Sequence, residues 1–184
     1  MMPSKGDSWM STEKLQHILS QIEAARSIRQ TDEDSYTTIL EAARQEMIQL
    51  ASDYPTDAKV MYECAAAHDR LGLEAEAVPY YETAITLGTL DVEDLRGAYL
   101  GLGSTYRCLG QVEKSISLLT KGISLYPEDH SLCVFLALAK YNAKDYEGSV
   151  QLLLDSLLET SSSEHIQIYR RAIRYYRDRL DQTW

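Results

Sequence analysis

The chain has 184 residues, 45% of them apolar and 25% charged, which suits one compact domain or one short helical array and neither a disordered chain nor a fibre. Its formal charge of −10 repels phosphate backbones, so nucleic acid is not an expected partner. No stretch approaches the roughly 18 uninterrupted apolar residues of a membrane helix, and the opening MMPSKGDSWM has no apolar run behind its lysine. A cytoplasmic protein without a membrane partner is therefore expected.

Apolar residues recur at three- and four-residue steps nearly throughout, which predicts an all-α fold of about nine helices. Residues 1–10 read as an unstructured polar lead. A first helix over 12–29 carries the stripe Leu15, Ile18, Leu19, Ile22 and Ala25. Thr31 with Asp34 then reads as an acidic capping box opening a second helix over 33–53, whose stripe is Ile39, Ala43, Met47, Leu50 and Ala51. Tyr54-Pro55 stops that helix because proline cannot continue the ladder, and Thr56-Asp57 can cap the third. Helix pairs follow at 57–71 with 74–87, 92–109 with 111–125, and 129–142 with 145–158. A last helix over 163–181 has an expected inward stripe of Tyr169, Ala172, Ile173, Tyr176 and Leu180, with its arginines outside. Over Glu164–Trp184 five Arg outnumber three acidic residues, which leaves the rest of the chain at −12.

The pairs repeat. Leu71-Gly72-Leu73-Glu74, Leu109-Gly110-Gln111-Val112 and Ala143-Lys144-Asp145-Tyr146 superpose as turns within pairs, offset by 38 and then 34 residues. Small residues recur within each pair at Ala65, Gly103 and Ala137, and between pairs at Ala84, Gly122 and Ser156, where close approach of helices requires them. Tyr99, Leu102, Gly103, Tyr106, Ser115, Leu119 and Pro127 complete the pattern in the middle copy.

This pattern resembles the tetratricopeptide repeat, a helix pair of 34 residues. The resemblance covers about 100 residues and lacks the family's tryptophan, its closing proline in copies one and three, and an aromatic at Lys140. It implies a right-handed α-solenoid with three repeats at 57–91, 92–129 and 130–160. A degenerate N-terminal pair at 11–56 would precede them, and a capping helix at 161–184 would follow. It also implies a small, stand-alone bacterial protein that is non-enzymatic, works without a cofactor, and binds a protein or peptide in a concave groove.

Carrying the family's groove positions across gives Lys59, Tyr62, Asp69 and Arg70 from the first copy, Leu100, Ser104 and Arg107 from the second, and Val134, Leu138, Tyr141 and Asn142 from the third. Tyr62 and Ala66 stand where some members carry the Lys and Asn that clamp a chaperone's C-terminal carboxylate, so that specificity is not implied. Two rivals remain: a regulatory enzyme on the same scaffold, such as a response-regulator phosphatase, and a purely structural subunit. An uncovered stripe on an end helix would lead to a homodimer.

Chemistry-bearing motifs do not compete. The four histidines are scattered, there is no HExxH or GxSxG, and Cys64, Cys108 and Cys133 are odd in number without a CxxC, so no metal or catalytic site is expected and the thiols read as packing. His68 falls on a packing position. The glycines of Gly97-Ala98-Tyr99-Leu100-Gly101-Leu102-Gly103 lack the strand and the Lys-Ser/Thr of a phosphate loop and read as close-packing contacts.

Overall fold

The computed structural model of the chain describes the backbone of residues 5–183 and the side chains of residues 10–183. Among these residues there are ten helices and no strand: α1 Lys5–Arg26, α2 Glu33–Asp53, α3 Ala58–Asp69, α4 Glu74–Leu87, α5 Val92–Cys108, α6 Val112–Leu125, α7 His130–Asn142, α8 Tyr146–Thr160, α9 Glu164–Ile168 and α10 Arg170–Arg177. None is long and apolar enough to cross a membrane. Two compact units divide inside α5, Met1–Gly101 and Leu102–Trp184.

In the first unit, α1 begins at Lys5, so the expected unstructured lead is helical from there, while residues 1–4 of it lie outside the described residues. The helix is anchored nearly two turns on. Ser11 is fully buried at the head of the stripe Leu15, Ile18, Ile22 and Ala25, and its Oγ donates to Asp57 Oδ2 at 3.0 Å. The other oxygen of Asp57 caps α3, accepting from the backbone N–H of Lys59 and Val60. One carboxylate thus starts α3 and anchors α1.

Two local readings are corrected. The N-cap of α2 is Asp32, whose Oδ1 accepts from the Ser35 N–H at 3.0 Å, whereas Thr31 Oγ1 donates back to the Ile28 carbonyl. The Ser35 hydroxyl, and then that N–H, hold the exposed Asp32 carboxyl below its ordinary range. Leu40, not Ile39, joins Ala43, Met47, Leu50 and Ala51 in the core, because the buried seam runs 40, 43, 47 and leaves Ile39 at its edge.

The turns show the repeat most directly. Gly72, Gly110 and Lys144 all adopt left-handed backbone, at φ 69°, 72° and 65°. Around each the same two bonds form: Leu73 N–H to His68 C=O with Gly72 N–H to Asp69 C=O, Gln111 to Tyr106 with Gly110 to Arg107, and Asp145 to Lys140 with Lys144 to Tyr141. Each helix end is closed by the same paired bonds, and in the third copy a lysine occupies the glycine position.

In the second unit, α7 packs on α6 and α8, and Leu119, Leu132, Leu136 and Ala137 are buried. The third copy is not closed on its outer side. Leu153, at a site that is buried as Tyr81 and Leu119 in the other copies, is 40% exposed, beside exposed Val150 and Leu157.

The expected last helix breaks at Tyr169 into α9 and α10, and of its expected inward stripe only Ala172 and Ile173 are partly buried. Tyr169, Tyr176 and Leu180 are exposed and no residue of α10 is buried. Arginines turn inward instead: Arg170 Nη1 donates to the Leu158 carbonyl at 2.7 Å, Arg170 and Arg174 both reach Glu159, and Arg177 reaches Asp155 at 2.6 Å. Carboxylates on α8, rather than an apolar groove, select which side of this helix faces in.

Candidate protein-binding face

The first helix of each pair carries the positions where a partner is expected, and the two units present different surfaces there. In the first unit, α5 is brought close to α3 and α4 by its glycines. A methyl group at Gly97 would collide with the Tyr62 hydroxyl, and one at Gly101 would stand 2.5 Å from the hydroxyl oxygen of Tyr81. These glycines are seats for tyrosines, which extends their reading as packing contacts.

Tyr81 is in turn fixed. The rings of Tyr62 and Tyr81 lie 6.1 Å apart, and Tyr81, almost wholly buried, donates its hydroxyl to Asp69 Oδ2 at 2.8 Å. Burial first, and then the Asp69 charge, push the Tyr81 phenol far up, so it remains a donor. Burial raises the Tyr62 phenol as well. Lys59 is equally engaged: its ammonium lies 2.6 Å from Asp94 and 3.1 Å from Glu63, with the Tyr62 ring 5.4 Å away.

Of the first-copy candidates, Lys59, Tyr62 and Asp69 therefore form an internal brace. Leu100 is half-buried. Arg70, the C-cap of α3, is exposed and forms no ion pair among the described residues.

The second unit brings its candidates together in the open. Arg107, near the end of α5, donates from Nη1 to Asn142 Oδ1 at 3.3 Å at the end of α7, which sets the two helix ends side by side. Its Nη2 reaches the Cys108 sulfur at 3.8 Å, and its Nε is buried without an acceptor among the described residues. No carboxylate meets this guanidinium among those residues. One and two turns back along α7, Leu138 is exposed and Val134 half-buried, while Tyr141 is 59% exposed and packs edge-on against Tyr146 at 5.0 Å. Ser104, one turn before Arg107, is half-buried.

The result is a cation with spare donors beside an amide, flanked by aliphatic and aromatic surface. Such a surface takes a carboxylate next to an apolar side chain.

The remaining titratable residues serve packing or lie apart. His68 is buried, with Nδ1 2.7 Å from the Cys64 carbonyl oxygen and its ring stacked on Tyr80 at 5.2 Å. Arg44 Nη1 approaches its Nε2 at 3.4 Å. Cys64 is buried and its thiol is pushed up to about 12 by desolvation. Cys133 is half-buried, but Cys108 is exposed, which corrects its reading as packing. No His/Cys/Asp/Glu group able to hold a metal occurs among the described residues.

A family profile for the tetratrico peptide repeat matches residues 58–180, well over half of the chain. The chain belongs to the tetratricopeptide repeat family. Among curated proteins, Superkiller protein 3 of Saccharomyces cerevisiae is 28% identical over 102 residues, which is 55% of this chain but 7% of that much longer protein. Among solved structures, MamA 41-end from Desulfovibrio magneticus RS-1 aligns with TM-score 0.60 over 86% of each chain at 16% identity. A second MamA crystal structure aligns with TM-score 0.58 over 95% of this chain and 93% of that one, also at 16% identity. These likenesses establish the repeat fold, which is a scaffold for protein interaction, and no particular partner.

Proposed function

We propose that this protein is a non-enzymatic adaptor that holds a partner peptide or helix on the first-helix face of its second unit. The bound segment presents an Asp, a Glu or a terminal carboxylate to Arg107 and Asn142, and an apolar side chain to Val134, Leu138 and Tyr141. The observation that carries this reading is Arg107. A guanidinium held only by an amide oxygen at 3.3 Å and a thiol sulfur at 3.8 Å, with no carboxylate partner among the described residues, has its strongest hydrogen bonds still to make. Asn142 spends its oxygen on Arg107, so its amide N–H groups can join the same carboxylate. Arg70 supplies a second exposed cation on the first unit, where Lys59 is already paired with Asp94 and Asp69 accepts from Tyr81.

The test is selection from a displayed peptide library against the purified protein. Peptides with an acidic residue beside an aliphatic or aromatic one should be enriched. Arg107→Glu should weaken them by at least about tenfold, as truncation or reversal of a paired interface charge does, with helicity and unfolding midpoint unchanged. Equal enrichment of neutral peptides, or equal binding by the variant, would remove Arg107 from the site.

A further inference from the structure

A second surface lies away from the family's groove, along the seam between α1 and α2. Two adjoining clefts of about 530 Å³ each meet there at Glu46. One is walled by Glu13, His17, Gln49 and Asp53 over a floor of Ile18 and Leu50, and the other by Ala24, Ile28, Ile39 and Ala42. From Glu13 to Ile28 the seam runs roughly 22 Å at a helical rise of about 1.5 Å per residue, longer than two helical turns of a guest require.

The seam is apolar at one end and acidic at the other, where Glu13, Glu46 and Asp53 outweigh Lys14. Neither Glu13 nor Glu46 forms an ion pair among the described residues, while Asp53 accepts only from Gln49 at 2.8 Å.

The chain itself carries a complementary element. Ile168 at the end of α9, Arg171 and Tyr175 on α10, and Arg179 two residues past its end follow at three- and four-residue steps, and Ile168 and Tyr175 are exposed. Arg171 forms no ion pair among the described residues, and the Arg179 guanidinium carbon lies 4.1 Å from the centre of the Tyr175 ring. Of the nearby acids, Asp178 is paired with Arg177 at 2.6 Å and Asp181 lines a cleft with Lys144 and Leu180. On the opposite side, Glu159 and Asp155 hold Arg170, Arg174 and Arg177, so the aromatic and cationic face is presented on a fixed helix.

We infer that the protein associates with itself head to tail, the Ile168/Arg171/Tyr175/Arg179 face of one copy lying in the α1/α2 seam of the next. Charge complementarity selects this occupant. Like surfaces of a −10 chain repel each other, whereas an acidic seam and a cationic, aromatic helix attract and are present in equal amount on every copy. The contact joins two different surfaces, so it is heterologous: each added copy exposes a fresh seam and a fresh helix, and growth continues unless the chain of copies closes into a ring.

Sedimentation velocity of the full-length protein across a concentration series, in low and high salt, tests this with two variants. Wild type should form species above the 20.8 kDa protomer, growing with concentration and dissolving with salt. Glu46→Arg, at an exposed position of α2, and Tyr175→Ser, at an exposed position of α10, should each shift assembly to at least about tenfold higher concentration with unchanged helicity. Mixed together, the two should form a one-to-one pair and grow no further, because only the intact seam of one and the intact helix of the other remain. Arg107→Glu should assemble as wild type does, which keeps this inference separable from the peptide site. A wild type that stays monomeric at all concentrations, a Glu46→Arg variant that assembles normally, or a mixture that stays monomeric would each overturn it. Capture of another protein's basic helix by the seam of a monomeric wild type would do so as well.

Discussion

Gly103 offers the sharpest test of the packing described here, because two large opposing effects act on one methyl group. In isolation, Gly→Ala inside a helix stabilises by about 1 kcal/mol. At Gly103 the added methyl carbon would stand 2.6 Å from both Cγ and Cδ2 of Leu119, and 3.2 Å from its Cδ1. Ordinary carbon contacts lie near 3.5–4.0 Å, so the leucine would have to retreat by about 1 Å. It is wholly buried and branched at the atom that collides, and Ser115 Oγ donates to the Gly103 carbonyl at 2.6 Å, which limits movement of the backbone. Overpacking of this kind costs about 1–3 kcal/mol, or more when no rotamer relieves it, so Gly103→Ala should be destabilising by about 1–2 kcal/mol net. At about 2–4 °C per kcal/mol for a chain of this length, Tm should fall by roughly 2–8 °C. Urea unfolding followed by circular dichroism, in a cycle with Leu119→Ala, isolates the cause: the two substitutions together should cost at least about 1 kcal/mol less than their sum. Additive losses, or a Gly103→Ala protein as stable as wild type, would refute the argument. Gly97→Ala serves as the internal control. There the methyl meets only the far end of a half-buried tyrosine, which can swing aside, so that variant should be more stable than Gly103→Ala by about 1 kcal/mol or more.

Other expectations follow from single features. Lys144→Gly removes a side chain from left-handed backbone and should raise stability by about 0.5–1 kcal/mol in urea unfolding, whereas Gly110→Lys should lower it. The Glu159 carboxyl is held below its ordinary range, first by the Arg170 charge and then by Arg174. A carboxyl depressed in the folded state contributes fully above its unfolded pKa of about 4.3 and loses that contribution as pH falls through the folded value. Hydrogen exchange measured against pH should therefore show α10 opening under acid, relative to α7, before the repeats unfold. With its thiol pushed up to about 12, Cys64 should resist a disulfide reagent at pH 8 until the protein is denatured, while exposed Cys108 reacts in the native state.

The sequence was most readable where structure is local. Helix pairs from α2 to α8 lie within about two residues of their predicted bounds, because capping residues, Pro55 and the glycine turns act over one turn of chain. The small residues at Ala65, Gly103 and Ala137 were legible for the same reason, since they recur at a fixed period. What failed depends on partners distant in sequence. Lys59 looked like a groove cation until Asp94, 35 residues away, was seen to hold it, and Asp69 looked available until Tyr81 was seen to donate to it. Ser11 gave no signal, being polar, yet it fastens the start of α1 through Asp57. For the last helix, the apolar stripe was a valid amphipathic pattern, but hydrophobic periodicity carries no information about two acids on α8 that capture arginines. A search for cations spaced to reach Asp155 and Glu159 was the signal to use.

The anchoring of that last helix sets how the protein responds to its solvent. Denaturants act in proportion to the surface uncovered, and α10 buries no residue fully, so its release adds little to the slope of a urea transition. Salt acts on charge, and the bonds from Asp155 and Glu159 are what it screens. The terminal segment can therefore come loose with ionic strength while the repeats beside it stay folded, making the reach of the array a property of the medium as well as of the sequence.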